Sequence, residues 1–166
     1  MQERVLNVST QNTALDDVPE RKKVDENMIL DTLERLENVQ CATPSSDKQI
    51  KNAEAELKVK FAAEYIRYLK LYGQLTATGT ALTGITDNET LNVVYATKKA
   101  KRKSFIPRGM YVIEDGAIDN MPILQDENGT IYIAAPKDKP KELFASLASY
   151  LKATKELLTD KTTEEQ

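Results

Sequence analysis

Apolar residues recur at helical spacing through residues 50–73, where Ile50, Ala53, Leu57, Phe61, Tyr65, Tyr68, Leu69 and Tyr72 step by three or four. One stripe of that segment is therefore predicted to face inward while Lys51, Glu56, Lys58, Glu64, Arg67 and Lys70 stay wet, and Gly73 supplies the stop. An earlier stripe, Met28, Ile29, Leu33, Leu36 and Val39, predicts a helix from about Asp25. In the connector CATPSSDK, Pro44 stops one element and Ser45 or Ser46 offers an N-cap for the next. Beyond Gly73 the period changes to short runs rich in Val, Ile, Thr and Tyr: LTATG, TALTGI, LNVVYAT, MYVIED, PILQD and TIYIAA, all read as strands.

The clearest junction is QDENGT, where Asn128-Gly129 suits the paired positive φ angles of a type I′ turn joining Ile123–Gln125 to Ile131–Ala134. Alternation puts Ile131 and Ile133 on one face, to be covered by helices, and Tyr132 and Ala134 on the other. The basic run KKAKRKS is read as a solvated loop or sheet edge. After Asp138 and Pro140, the stripe Leu143, Phe144, Leu147, Tyr150 and Leu151 predicts a closing helix. The expected fold class is α+β: an antiparallel sheet of five to six strands on helices from the N-terminal half and a C-terminal helix. Residues 1–23 are expected to be a mobile tail, 24–158 a single domain and 159–166 a second tail.

Composition narrows the chemistry. The chain has no histidine and one cysteine, Cys41, without a candidate base, so the commonest acid-base and nucleophile arrangements are missing and no enzyme activity is expected. No ligand spacing for a metal or cofactor is present: DENG does not follow a calcium loop. No apolar run approaches a membrane span, and the polar start lacks a signal-peptide core, so a cytoplasmic protein without membrane association is expected. Residues 90–113 carry Lys98, Lys99, Lys101, Arg102, Lys103 and Arg108 and no acid, a local +6 in a chain of net −3, leaving −9 elsewhere. Such a surface favours a positively charged protein partner over nucleic acid.

Four strings in order resemble the SUKH superfamily. The first places Ile50, Glu54, Leu57, Phe61, Glu64, Tyr65, Leu69 and Gly73 on that family's apolar, Glu, Leu, acid-Tyr and Gly pattern. The second is similar to the family's strand pair, with Gly84 at its corner and Thr97 closing the second strand. The third sets Pro107, Asp115-Gly116, Asp126 and Gly129 where the family has central strands and turns. The fourth, ELFASLASYL, matches the closing helix. Two departures stand out: Ala62 replaces a usual proline, and Leu147 a usual aromatic. The resemblance spans residues 46 to 152 and implies a break of the long segment near Val59 to Phe61.

It further implies a non-catalytic immunity protein that binds and neutralises a cognate bacterial toxin, often a nuclease. A nuclease offers cations to phosphate, so acids on an inhibitor suit the same surface. The candidate contacts are Glu114, Asp115, Asp119, Asp126 and Glu127, with Tyr111 and Tyr132 as aromatic anchors. Glu54, Leu57, Tyr65, Leu69, Gly73, Gly84, Thr97 and Gly129 are expected to be structural, as are Tyr68 and Tyr72, whose helical spacing fits core packing. Two other readings stand beside this one: a nucleic-acid-binding module through residues 98–103, and a regulatory scaffold like the superfamily's eukaryotic members.

Overall fold

A computed structural model describes residues 28–118 and 120–154. The tails expected at 1–23 and 159–166, and Asp119, lie outside them. The fold is α+β. Helix α1 (28–34) buries Ile29 and Leu33 and leads to strand β1 (Gln40–Cys41). Helix α2 (Asp47–Leu57) starts from a capping box in which Ser46 and Gln49 each satisfy the other's backbone N–H.

The long amphipathic segment breaks where the sequence led us to expect. Lys58 adopts the left-handed conformation at φ 57°, and Val59 N–H returns to Glu54 O at 3.0 Å. The Glu54 carboxylate then accepts Phe61 N–H at 2.8 Å, which holds the turn closed. Ala62, with φ −62° and ψ 151°, has the backbone a proline would take. Its N–H, which a proline would lack, donates to the Tyr111 hydroxyl at 2.9 Å. Helix α3 (Ala63–Tyr72) follows and ends at Gly73, φ 69°.

Among the described residues seven strands form two antiparallel sheets, in place of the single sheet of five to six that was expected. Strands β2 (Leu75–Ala77) and β3 (Thr80–Ala81) join β1 in the order β1-β2-β3. Strands β4 (Tyr111–Ile118), β5 (Met121–Gln125), β6 (Ile131–Ala135) and β7 (Asp138–Phe144) form a meander in chain order. Thr83 stitches the sheets together, donating its N–H to Ile113 O at 2.8 Å and its hydroxyl to Val112 O at 2.7 Å.

Two elements differ from expectation. NVVYAT and the basic run are one helix, α4 (Val93–Lys103), not a strand and a loop. Val93, Ala96, Thr97 and Ala100, spaced i, i+3, i+4, i+7, form its buried face, and Asn92 caps it by accepting from Val94 and Tyr95 N–H. Lys101, Arg102 and Lys103 occupy its last turn, where cations oppose the helix dipole. Leu143 and Phe144 end strand β7, so the closing helix α5 (147–154) begins only after them.

The meander is covered on both faces. Tyr111, Ile113, Ile123 and Ile131 pack into the main core with α1, α2, α3 and α5, the face on which alternation had set Ile131 and Ile133. On the other face Val112, Leu124 and Ala134 meet Ala96 and Ala100 of α4, with Ile106, Met110 and Tyr132 at the margin. Close backbone approach fixes the joint between α3 and the second half: a Cβ on Gly84 would lie 2.1 Å from Gly73 O, and one on Gly73 2.0 Å from Thr43 O.

Candidate functional site

The β5–β6 hairpin is present, but its turn is not type I′. Asn128 keeps a negative φ; only Gly129, at 95°, is positive. Gly129 N–H reaches Asp126 O at 3.0 Å and Asp126 N–H reaches Thr130 O at 3.2 Å, giving a type I turn closed by a glycine bulge. The physical reason is Asp126, whose Oδ1 accepts from Asn128 and Thr130 N–H at 3.0 and 3.1 Å, an Asx arrangement that favours this turn over its mirror image.

Beneath the turn lies a buried carboxylate, Glu64, which the helical pattern had assigned to solvent. It is 2% exposed. Its Oε2 accepts Gln125 Nε2–H at 2.7 Å and Leu147 N–H at 2.6 Å, and Ala148 N–H lies 3.4 Å from Oε1. Glu64 thus holds the start of α5 on α3, with its charge at a helix N-terminus. Gln125 continues the network to Gly129 O and accepts the Tyr111 hydroxyl at 2.9 Å. A Cβ on Gly129 would come within 3.3 Å of Glu64 Oε2, a second reason for glycine there. The spacing signal for Glu64 exists: it stands three residues after Phe61 and four before Tyr68, on the buried side of the stripe.

Two residues expected to face a partner are interior. Tyr111 is fully buried, edge-on to Phe61 with ring centroids 4.7 Å apart, because it lies on the inward face of β4. Glu114 is 5% exposed and accepts from Thr80 Oγ1, Ala81 N–H and the Tyr150 hydroxyl at 3.1, 2.8 and 2.5 Å. A register shift between Val112 and Glu114 turns that carboxylate into the joint between the two sheets.

The other acids do not converge. Asp115 is exposed and pairs with Lys99 of α4 at 3.6 Å, whereas Asp126 and Glu127 stand at the opposite end of the β4–β5 ladder, where Tyr111 pairs with Gln125. Half-buried Tyr132 donates its hydroxyl to Asp126 Oδ2 at 3.0 Å, so this pair and exposed Glu127 share one corner. Beside them, an open groove of about 520 Å³ is lined by Lys58, Val59, Lys60, Gly109 and Glu127.

The residues expected to be structural are interior or bonded. Leu57, Tyr65 and Leu69 are buried. Thr97, on α4 and not at a strand end, accepts Val112 N–H at 2.9 Å. Because Thr83 spends its one hydroxyl proton on Val112 O, the Tyr65 hydroxyl donates to Thr83 Oγ1. Tyr68 bridges Leu75 N–H and Thr83 O, each at 2.8 Å. Burial pushes the Tyr65, Tyr68, Tyr111 and Tyr150 phenols well above their ordinary range; the Glu114 charge adds to this at Tyr150. Among the described residues no group of three or more Cys, Asp or Glu could hold a metal ion, and no helix is long and apolar enough to cross a membrane.

The family model SUKH_5, described as SMI1-KNR4 cell-wall, matches residues 26–156. No curated protein matches the chain.

Proposed function

The chain belongs to the SUKH superfamily, and from that premise we propose that it is a non-catalytic, cytoplasmic immunity protein that binds and neutralises a cognate bacterial toxin, a nuclease. The observation that carries the reading is the family match itself, which runs through the whole described fold. The fate of the buried acids supports it. Glu64 and Glu114 are engaged in holding elements together, which leaves surface residues to serve a partner. Of the candidate contacts, Asp126, Glu127 and Tyr132 share a corner accessible to a protein, and Asp115 forms a separate outlying point. Acids at such a corner attract the cations with which a nuclease holds phosphate and speed capture by steering.

The test is co-expression with the toxin encoded by the neighbouring gene. Cells carrying both are expected to survive, and the two proteins to elute as one complex whose association slows as salt rises. Cell death despite full expression, or separate elution at low salt, overturns the proposal.

A further inference from the structure

The corner formed by Asp126, Glu127 and Tyr132 continues onto the chain that leaves α4. Tyr132, Ile106 and Met110 all pack at the margin of the same small core, so the segment after α4 adjoins the hairpin. Near its start is Phe105, 58% exposed, the most exposed large hydrophobic residue among those described. Lys101, Arg102 and Lys103 precede it, Arg108 follows, and all four are exposed with no ion pair among the described residues. The helix dipole accounts for cations in the last turn of α4. It does not account for a phenylalanine left in water among them.

An apolar ring with a charged rim is the anatomy of a protein-binding hot spot, in which one aromatic anchor enters a pocket and the rim excludes water. The flanks of the patch bear on the partner's chemistry. Lys98 is held by Glu56 of α2 at 2.6 Å and Lys99 by Asp115 of β4 at 3.6 Å, so one turn back along α4 the cations are already neutralised by acids of neighbouring elements. A nucleic-acid strand, with a charge roughly every 3.4 Å, would run from the patch onto those acids. A compact acidic protein face would not.

Building on the immunity reading, we infer that Phe105 anchors the surface through which this chain holds its protein partner, and that the partner's opposing face is acidic around an apolar pocket. The toxin surface in contact here thus carries carboxylates, while the neighbouring Asp126 and Glu127 meet cations.

The experiment measures binding of the full chain to the neighbour-encoded toxin by calorimetry and surface plasmon resonance. Phe105→Ala is expected to weaken the complex roughly 30-fold or more, the level of a hot spot. Charge reversal of Lys101, Arg102 and Lys103 to Glu is expected to slow association and flatten its salt dependence. Leu71→Ala, which trims another exposed apolar side chain, on α3, is expected to bind as the wild type does. All three variants change exposed positions, and unchanged circular dichroism and urea midpoints verify that they fold. A wild-type complex that Phe105→Ala leaves equally tight overturns this inference and spares the immunity reading; no complex with the wild type overturns both. Binding of a short oligothymidylate at physiological salt, lost on charge reversal, would assign the surface to nucleic acid and also overturn it.

Discussion

Replacing Glu64 by alanine tests how the closing helix is held. The substitution removes the acceptor of Leu147 N–H at 2.6 Å, Gln125 Nε2–H at 2.7 Å and Ala148 N–H at 3.4 Å. Gln125 retains its bond to Gly129 O, but the first two amides of α5 lose this acceptor in a buried setting. Hydrogen bonds to a charged group contribute about 1.5–3 kcal/mol each. A carboxylate at a helix N-terminus adds about 0.3–1 kcal/mol, so two short bonds and the dipole together predict a loss of about 3–7 kcal/mol, and the bond that Gln125 keeps to Gly129 O sets it near the low end, at about 4 kcal/mol. With a urea slope of about 2 kcal/mol per molar, the unfolding midpoint falls by about 2 M. Glu64→Gln keeps an acceptor oxygen and forfeits only the charge, for a loss of about 1–2 kcal/mol. Urea titration followed by circular dichroism reads both variants, and hydrogen exchange at Leu147 and Ala148 locates the effect. An alanine variant destabilised by less than about 1 kcal/mol, or a glutamine variant as damaged as the alanine one, refutes the reasoning.

Alkaline pH and backbone crowding give two further tests. The Tyr65, Tyr68, Tyr111 and Tyr150 phenols are raised above the unfolded value of 10.0, so above that pH the unfolded chain releases protons that the native chain keeps. Stability contributed by these groups is present below pH 10 and falls beyond it, by up to about 1.4 kcal/mol per pH unit for each tyrosine. In a chain with Tyr72, Tyr95 and Tyr132 replaced by phenylalanine, absorbance at the tyrosinate band should therefore rise together with loss of circular dichroism; a rise that precedes unfolding there counts against the burial of these hydroxyls. Gly84→Ala sets a Cβ 2.1 Å from Gly73 O, where only backbone movement can relieve the clash. It is expected to cost about 3 kcal/mol or more, read as a fall in thermal midpoint, and a neutral result would mean that the two backbones do not cross so closely.

The sequence was most legible where one local signal had no competitor. The buried stripe of residues 50–73, the β5–β6 hairpin and the inward face of Ile131 follow from 3.6- and 2-residue periods and a glycine-bearing turn, whereas the break in that stripe followed from the family resemblance. Residues 93–97 misled because Val93, Val94 and Tyr95 carry β propensity, while the deciding pattern, Asn92 followed by Val93, Ala96, Thr97 and Ala100, runs into a basic stretch easily taken for a loop. The mixed polarity of Asp138–Phe144 hid strand β7, since an edge strand with Lys139, Pro140 and Lys141 is written to resist further pairing. The site was least legible. Glu114 and Tyr111 have the composition of surface contacts and the position of core, and only long-range partners such as Thr80 and Tyr150 reveal which. Phe105 was visible as a residue, but its exposure depends on how α4 and the chain after it lie across the sheet.

The bond between Glu64 and Leu147 joins positions 83 residues apart. At a synthesis rate of about 5–20 residues per second, α3 leaves the ribosome roughly 4–17 seconds before the amides that its carboxylate receives. Throughout that interval Tyr65 and Tyr68 also wait for Tyr111 and α5 to close over them. Closure of this core therefore waits for the synthesis of α5. A nascent polypeptide stalled before residue 147 is not a smaller version of the protein but an open core whose inner carboxylate lacks the amides of α5.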